Sequence, residues 1–287
     1  MGRFATAGLM VGILGAALVG CGGSGLRAQD YMTWQSEGDQ APRYPLPALT
    51  QPFPGAVKPW AGTLSHHLLT APLLDRWFQE LAARRAVKTF YILSPSHGDR
   101  TVQPWAVARG RWKVDGGWVE TDLGPSQALA ARLGVALEPG PFQYEHGVHV
   151  FMPYIHQYFP QARVVAVVYP GEPPVAMPPA QRLRDAVLAS FTPSGREENF
   201  LLVSTDFSHH GNEAQTAAKD ARAQRFWDHP GPGTWVLAGC DNRPGIFVLA
   251  SALDATSKAA VLWHTNAYLL SGQDRDDITS YFFTWVW

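Results

Sequence analysis

Ten histidines and two cysteines are spread along this 287-residue sequence, and four of those side chains stand where a metal or a proton-transfer group is commonly placed. His66 lies in Ser65-His66-His67, His97 in Ser94-Pro95-Ser96-His97-Gly98, and His209 in Thr205-Asp206-Phe207-Ser208-His209-His210. Cys240 follows a short apolar run, residues 235–238. Neutral imidazole and thiolate are good donors to zinc, iron and copper, and three protein ligands leave a position for water or substrate. Asp206 and His209, three apart, suit an acid–base imidazole with a carboxylate that sets its tautomer. The same Asp206 could instead cap a following helix, and a lone Cys240 could be a core thiol. Glu145, His146 and His149 open a helical pattern, with both imidazoles on one face and free to line a pocket rim. Ser96 and Ser208 each neighbour a histidine, but no Gly-x-Ser-x-Gly elbow supports a serine hydrolase. No phosphate-binding glycine loop is present.

The elements around these residues follow from periodicity. Residues 87–93 (VKTFYIL), 162–169 (ARVVAVVY) and 200–204 read as buried strands, and 57–64 as a weaker one. Residues 68–85 carry Leu69, Leu73, Leu74, Trp77, Phe78 and Leu81 on one helical face. Further helices are expected over 126–133, 145–159 (interrupted by Pro153), 179–191 and 245–255. A hairpin is expected over 105–120, and an aromatic strand over 278–287. Strands alternating with helices imply an α/β fold, a three-layer α/β/α arrangement with a mostly parallel central sheet. In such folds the working residues lie beyond the carboxyl ends of strands, where His66, His97 and His209 fall.

Hydrophobic residues make up 46% and charged residues 16%, enough for a sizeable core. The formal net charge of −1 comes with no basic cluster, which excludes a nucleic-acid surface and a polybasic membrane patch. The N-terminus reads as an address: Arg3, an apolar run over 4–19, then Leu18-Val19-Gly20-Cys21. That ending resembles the bacterial lipobox, whose cysteine is diacylated. The expected organisation is therefore a signal peptide over 1–20, a tether over 21–55 beginning at lipidated Cys21, and one domain over 56–287. The expected location is outside the cytoplasm, on a membrane. Cys240 is then the only free thiol.

Taken in order, Ser65-His66, Ser94-Pro95-Ser96-His97, Glu145-His146-Gly147-Val148-His149 with Met152-Pro153-Tyr154, Ser204-Thr205-Asp206-Phe207-Ser208-His209, Gly239-Cys240 and Leu270-Ser271-Gly272-Gln273-Asp274 resemble the Memo-like family, labelled AmmeMemoRadiSam system protein B in bacterial genomes. The resemblance covers about residues 56–287. It implies a fold like that of class III extradiol dioxygenases, which are non-haem iron enzymes. It also implies metal ligands at His66, His97 and Cys240, an acid–base His209 with Asp206 beside it, and a pocket holding His146 and Glu145. A functional link to radical-SAM and AMMECR-type proteins is implied with it. This sequence departs from the family pattern at His67, His149, His210 and Asp241, so the pocket walls differ while the expected ligands stay.

Three functions follow as expectations. One is an iron or copper redox enzyme acting on a small molecule, with His209 moving protons. A second is a metal-binding chaperone or sensor without turnover. A third, ranked lower, is a zinc hydrolase. Thiolate at Cys240 would favour softer metals.

Overall fold

In a computed structural model, residues 29–98, 104–171, 175–272 and 274–287 are described. The expected signal peptide and Cys21 lie outside these residues, as does Gln273. The first half contains β1 (Gln29–Tyr31), β2 (Ala61–Leu64), α1 (Ala71–Ala82), β3 (Thr89–Pro95), β4 (Ala106–Ala108), β5 (Gly110–Val114), β6 (Gly117–Glu120), α2 (Leu123–Leu133) and β7 (Leu137–Glu138). It is followed by α3 (His146–His149), α4 (Met152–Tyr158), β8 (Arg163–Tyr169), α5 (Met177–Leu188), α6 (Pro193–Glu198) and β9 (Asn199–Ser204). The chain ends with α7 (Glu213–Asp228), α8 (Arg243–Ala252), β10 (Ala259–Asn266), α9 (Ala267–Ser271) and β11 (Ser280–Val286).

Eight strands form one sheet in the order β10-β11-β2-β9-β3-β8-β4-β7. Its centre, β2-β9-β3-β8, is parallel throughout. Antiparallel pairings flank it, β11 against β2 and β4 against β8. Every residue of β3 is buried, because helices cover both faces of the sheet. Such strands read as continuous apolar runs rather than alternating ones. The alternation survives in where each side chain goes. Phe90 and Ile92 join one core with Leu73, Trp77 and Phe78 of α1 and Ile155 of α4. Tyr91 and Leu93 join the other with Leu129 of α2, Leu183 of α5, Phe226 of α7 and Ile246 of α8. These are the three layers of an α/β/α fold.

The remaining strands β1, β5 and β6 make a small second sheet, and their Tyr31, Trp112 and Val119 join the α1 core. The expected hairpin is narrower than its apolar pattern suggested. It is β5–β6, and Gly116 takes the left-handed backbone (φ +80°) that the turn requires. The pattern over 145–159 splits in two because Pro153 sits in the first turn of α4, where a missing N–H breaks no helix bond.

Residues 29–53, expected as tether, are tied to the domain. Tyr31 is fully buried, the Tyr44 hydroxyl donates to Leu69 O (2.7 Å), and Phe53 packs its ring on Trp263 and Trp285. Their apolar residues are too sparse to show a period, yet Tyr31 and Trp34 enter the core and Phe53 packs against it.

Candidate metal centre

Strands β2, β9 and β3 are neighbours, with Leu64 paired to Ser204 and Leu93 to Val203. Adjacent strands lie about 4.8 Å apart. Loops leaving their carboxyl ends are therefore forced together, and those loops carry His66, His97, Asp206 and His209.

His66 is buried, and its Nδ1 meets Ser204 Oγ, at the end of β9, at 3.0 Å. His97 donates through Nδ1 to Glu145 Oε1 and through its backbone N–H to Glu145 Oε2, both at 2.7 Å. A carboxylate only accepts, so this bond holds a proton on Nδ1 and leaves Nε2 as the nitrogen that can turn to a metal. Glu145 also accepts from Gly147 N (2.9 Å), capping α3. A Cβ at Gly147 would stand 2.1 Å from Ser94 Oγ and 3.1 Å from His97 Cε1. Only glycine lets this segment approach, and the approach delivers His146. Its ring centroid lies 4.1 Å from that of His97 and 5.3 Å from that of His66. Ligand atoms of His66, His97 and His146 all fall within 4.8 Å of one another.

A carboxylate faces these imidazoles. Asp241 Oδ2 lies 3.3 Å from His66 Nε2, 3.6 Å from His209 Nε2 and 3.8 Å from His97 Nε2. Its other oxygen accepts from Thr205 Oγ1 (2.9 Å) and Asp206 N (3.0 Å). Asp206 turns toward His66, with Oδ2 at 3.6 Å from Nε2, so the carboxylate nearest His209 is Asp241. Asp241 Oδ2 and Asp206 Oδ1 are both buried without a hydrogen-bond partner. Buried carboxylate oxygens left unpaired are costly, and a cation among these donors satisfies them. The residues present fit a metal ion.

Asn242 holds this carboxylate in place. Its amide donates to Leu93 O (2.9 Å) and Ser204 O (2.8 Å), tying the ends of β3 and β9 together. Its Oδ1 accepts from Tyr169 Oη (2.8 Å) and from Gly245 N (2.9 Å), the latter capping α8. Gly171 completes the fit, since a Cβ there would meet Asp241 O at 2.2 Å.

The charges follow from this packing. Burial disfavours the cationic form of His66, but Asp206 and Asp241 outweigh it and raise its pKa. His97 is likewise penalised by burial yet lifted to about 10, by the nearby Asp241 carboxylate and its hydrogen bond to Glu145. Desolvation, then the neighbouring charges of His97 and His66, drives His146 down to about 3. Burial opposes ionisation of Asp241, and His66, His97 and His209 more than reverse this, leaving it well below the usual carboxylate range. A neutral His146 and a persistent Asp241 carboxylate thus stand beside two imidazoles, His66 and His97, whose protonated forms the neighbouring carboxylates favour.

Cys240 stands apart. It is buried in the apolar core between the sheet and α8, and burial, then the charge of Asp241, pushes its thiol up to about 12. Among the described residues, the converging donor group is His66, His97 and His146, and the carboxylate facing it belongs to Asp241, one residue beyond the cysteine. His149 is buried with Nδ1 unpartnered. From the sequence Ser204 and Asn242 are not site candidates, and Asp241 stands out only as a departure from the family pattern. The available signal was Asn242 two residues before Pro244, the pattern of a helix cap with proline in the first turn.

The profile described as Memo-like protein matches residues 64–227, more than half of the chain. The chain belongs to the Memo-like family. The matched span takes in His66, His97, Glu145, His146, Asp206 and His209, while Cys240 and Asp241 lie beyond it. Similar relatives are named MEMO1 family proteins. That of Pyrobaculum arsenaticum is 26% identical over 179 residues, covering 62% of this chain and 61% of the relative. That of Caldivirga maquilingensis is 26% identical over 168 residues, covering 58% and 56%. The chain thus spans about three fifths of the length of the Memo-like proteins it matches.

Proposed function

We propose that this Memo-like protein binds a redox-active metal ion, iron before copper, through His66, His97 and the Asp241 carboxylate, with His146 at the solvent side. The observation that carries this is Asp241 Oδ2, buried and unpartnered among three imidazole nitrogens. Two histidines and one carboxylate are the donor set of non-haem iron(II) oxygenases. Bound iron would supply one-electron and oxygen chemistry to a small molecule. The protein's own residues do the rest. Glu145 and Ser204 orient the two ligating rings, Thr205 and Asn242 fix the carboxylate, and His209, part-exposed and 3.6 Å from Asp241 Oδ2, moves a proton between substrate and solvent.

A second reading, metal binding without turnover, is favoured by the convergence of His146 with His66 and His97. Three imidazoles and a carboxylate can close a four-coordinate site. Metal content of the purified protein, with oxygen uptake on catechol-like substrates after iron loading, separates the two. Metal bound with uptake supports the redox enzyme, metal bound without uptake supports the second reading, and no metal bound refutes both.

The same proposal places the domain on a membrane through lipidated Cys21, supported by Leu18-Val19-Gly20-Cys21. Among the described residues no helix is long and apolar enough to cross a membrane. Mass spectrometry of the mature N-terminus tests the anchor: an acylated Cys21 is expected, and an unmodified one refutes it.

A further inference from the structure

On the far side of the His209 loop, one buried carboxylate collects three hydrogen bonds. Asp220 of α7 is 5% exposed. Its Oδ1 accepts from Ser208 Oγ (2.6 Å) and Ser280 Oγ (2.5 Å), and its Oδ2 lies 2.8 Å from His264 Nε2. The four residues come from α7, the loop after β9, the start of β11 and β10. Ser208 directly precedes His209. Its backbone is clamped as well, with Ser208 N donating to Ser280 Oγ and Ser280 N to Ser208 O, both at 2.9 Å. Next to Asp220, Lys219 Nζ donates to His209 O (3.1 Å). A ring stack runs parallel to the polar link, His264 on Phe282 (4.1 Å) and Phe282 on Phe207 (4.6 Å).

We infer that Asp220 is a positioning residue that sets the place of the His209 ring at the centre through Ser208, with Ser280 and His264 as its other two anchors. The inference rests on the role given to His209, and the geometry explains why a charged side chain is buried here. Two hydroxyl donors and an imidazole converge on one group, so an acceptor at both oxygens is required. An amide at 220 offers one acceptor and turns an N–H toward a donor. The amide can keep both serine bonds through its oxygen if His264 moves its proton off Nε2 and accepts there, whereas alanine at 220 removes all three bonds. The residue before His209 is freed, although no atom touching substrate or metal has changed.

The test reads the histidine rings of the full chain by NMR with selectively labelled histidine, without added metal. Asp220→Ala and Ser208→Ala are each expected to shift the His209 ring signals while those of His97 stay in place. Ser208→Thr, which keeps the hydroxyl, is expected to return the His209 signals toward wild type. A merely structural Asp220 predicts a lower Tm with the His209 signals unmoved, and that result overturns the inference. Should Asp220→Ala fail to fold, unmoved His209 signals in Ser208→Ala overturn it equally. Absence of metal binding in the wild-type chain would sink the metal centre and leave this result standing, so the two failures are distinct.

Discussion

Asp241 Oδ2 stands 3.3 Å from His66 Nε2, and neither atom is placed there by its own strand. His66 leaves β2, whereas Asp241 arrives from the segment before α8, held by Asn242 across the ends of β3 and β9. The centre is therefore assembled by the sheet order, which sets β9 between β2 and β3, and closed by one buried amide.

Glu145→Gln tests how the rings are oriented. The amide can still accept at one oxygen but cannot offer both oxygens to the His97 Nδ1–H and backbone N–H. Metal affinity is expected to fall by about 10- to 100-fold, the usual cost of losing an outer carboxylate. Titration calorimetry on the variant checks this, and an unchanged affinity contradicts it.

Metal binding should release protons. His97 stands at about 10, so it holds a second proton at pH 7 that a metal must displace, and Asp206 and Asp241 raise His66 in the same direction. At least one proton is expected per ion at pH 7, with affinity rising as pH rises. Calorimetry in buffers of different ionisation enthalpy gives the count directly.

Stability should fall in mild acid through His149. Burial holds its folded pKa at about 4, below an ordinary 6.5. The unfolded chain then takes up the proton first, and stability is lost as pH falls from about 6.5 to 4, by about 3 kcal/mol at most. His149→Leu removes a buried, unpartnered Nδ1 and should flatten the pH dependence of urea unfolding across that window. An unchanged slope would refute this.

Asn242→Ala should destabilise the fold and the site together. It strands Leu93 O and Ser204 O and removes the cap of α8. The expected loss is on the order of 2–4 kcal/mol in urea unfolding, from buried groups left unpaired and a missing cap. A weakened metal site should accompany it.

Much of this was legible beforehand, for physical reasons. Apolar runs at 87–93 and 162–169 announced β3 and β8 because both faces are covered, and the same rule put His66, His97 and His209 at strand ends. Helix α7 was missed because its buried face is made of Thr216, Asp220, Ala223, Phe226 and Trp227, of which only three are apolar. β10 is hidden because it is the edge strand and its 8-residue AAVLWHTN run ends in His264, Thr265 and Asn266, so it shows neither a continuous apolar run nor a clean alternation. In the sequence Asp241 stands out only as a departure from the family pattern. Which of two adjacent side chains points into a pocket depends on the loop entering α8, and Asn242 sets that loop through bonds to residues 38 and 149 positions away.

The central claim is tested most directly by metal content and affinity in Asp241→Ala beside Cys240→Ala. The account predicts that Asp241→Ala loses most bound metal, while Cys240→Ala, which removes a buried thiol outside the converging donors, keeps wild-type stoichiometry. Loss of metal in Cys240→Ala with retention in Asp241→Ala would contradict it and make the thiolate the third ligand.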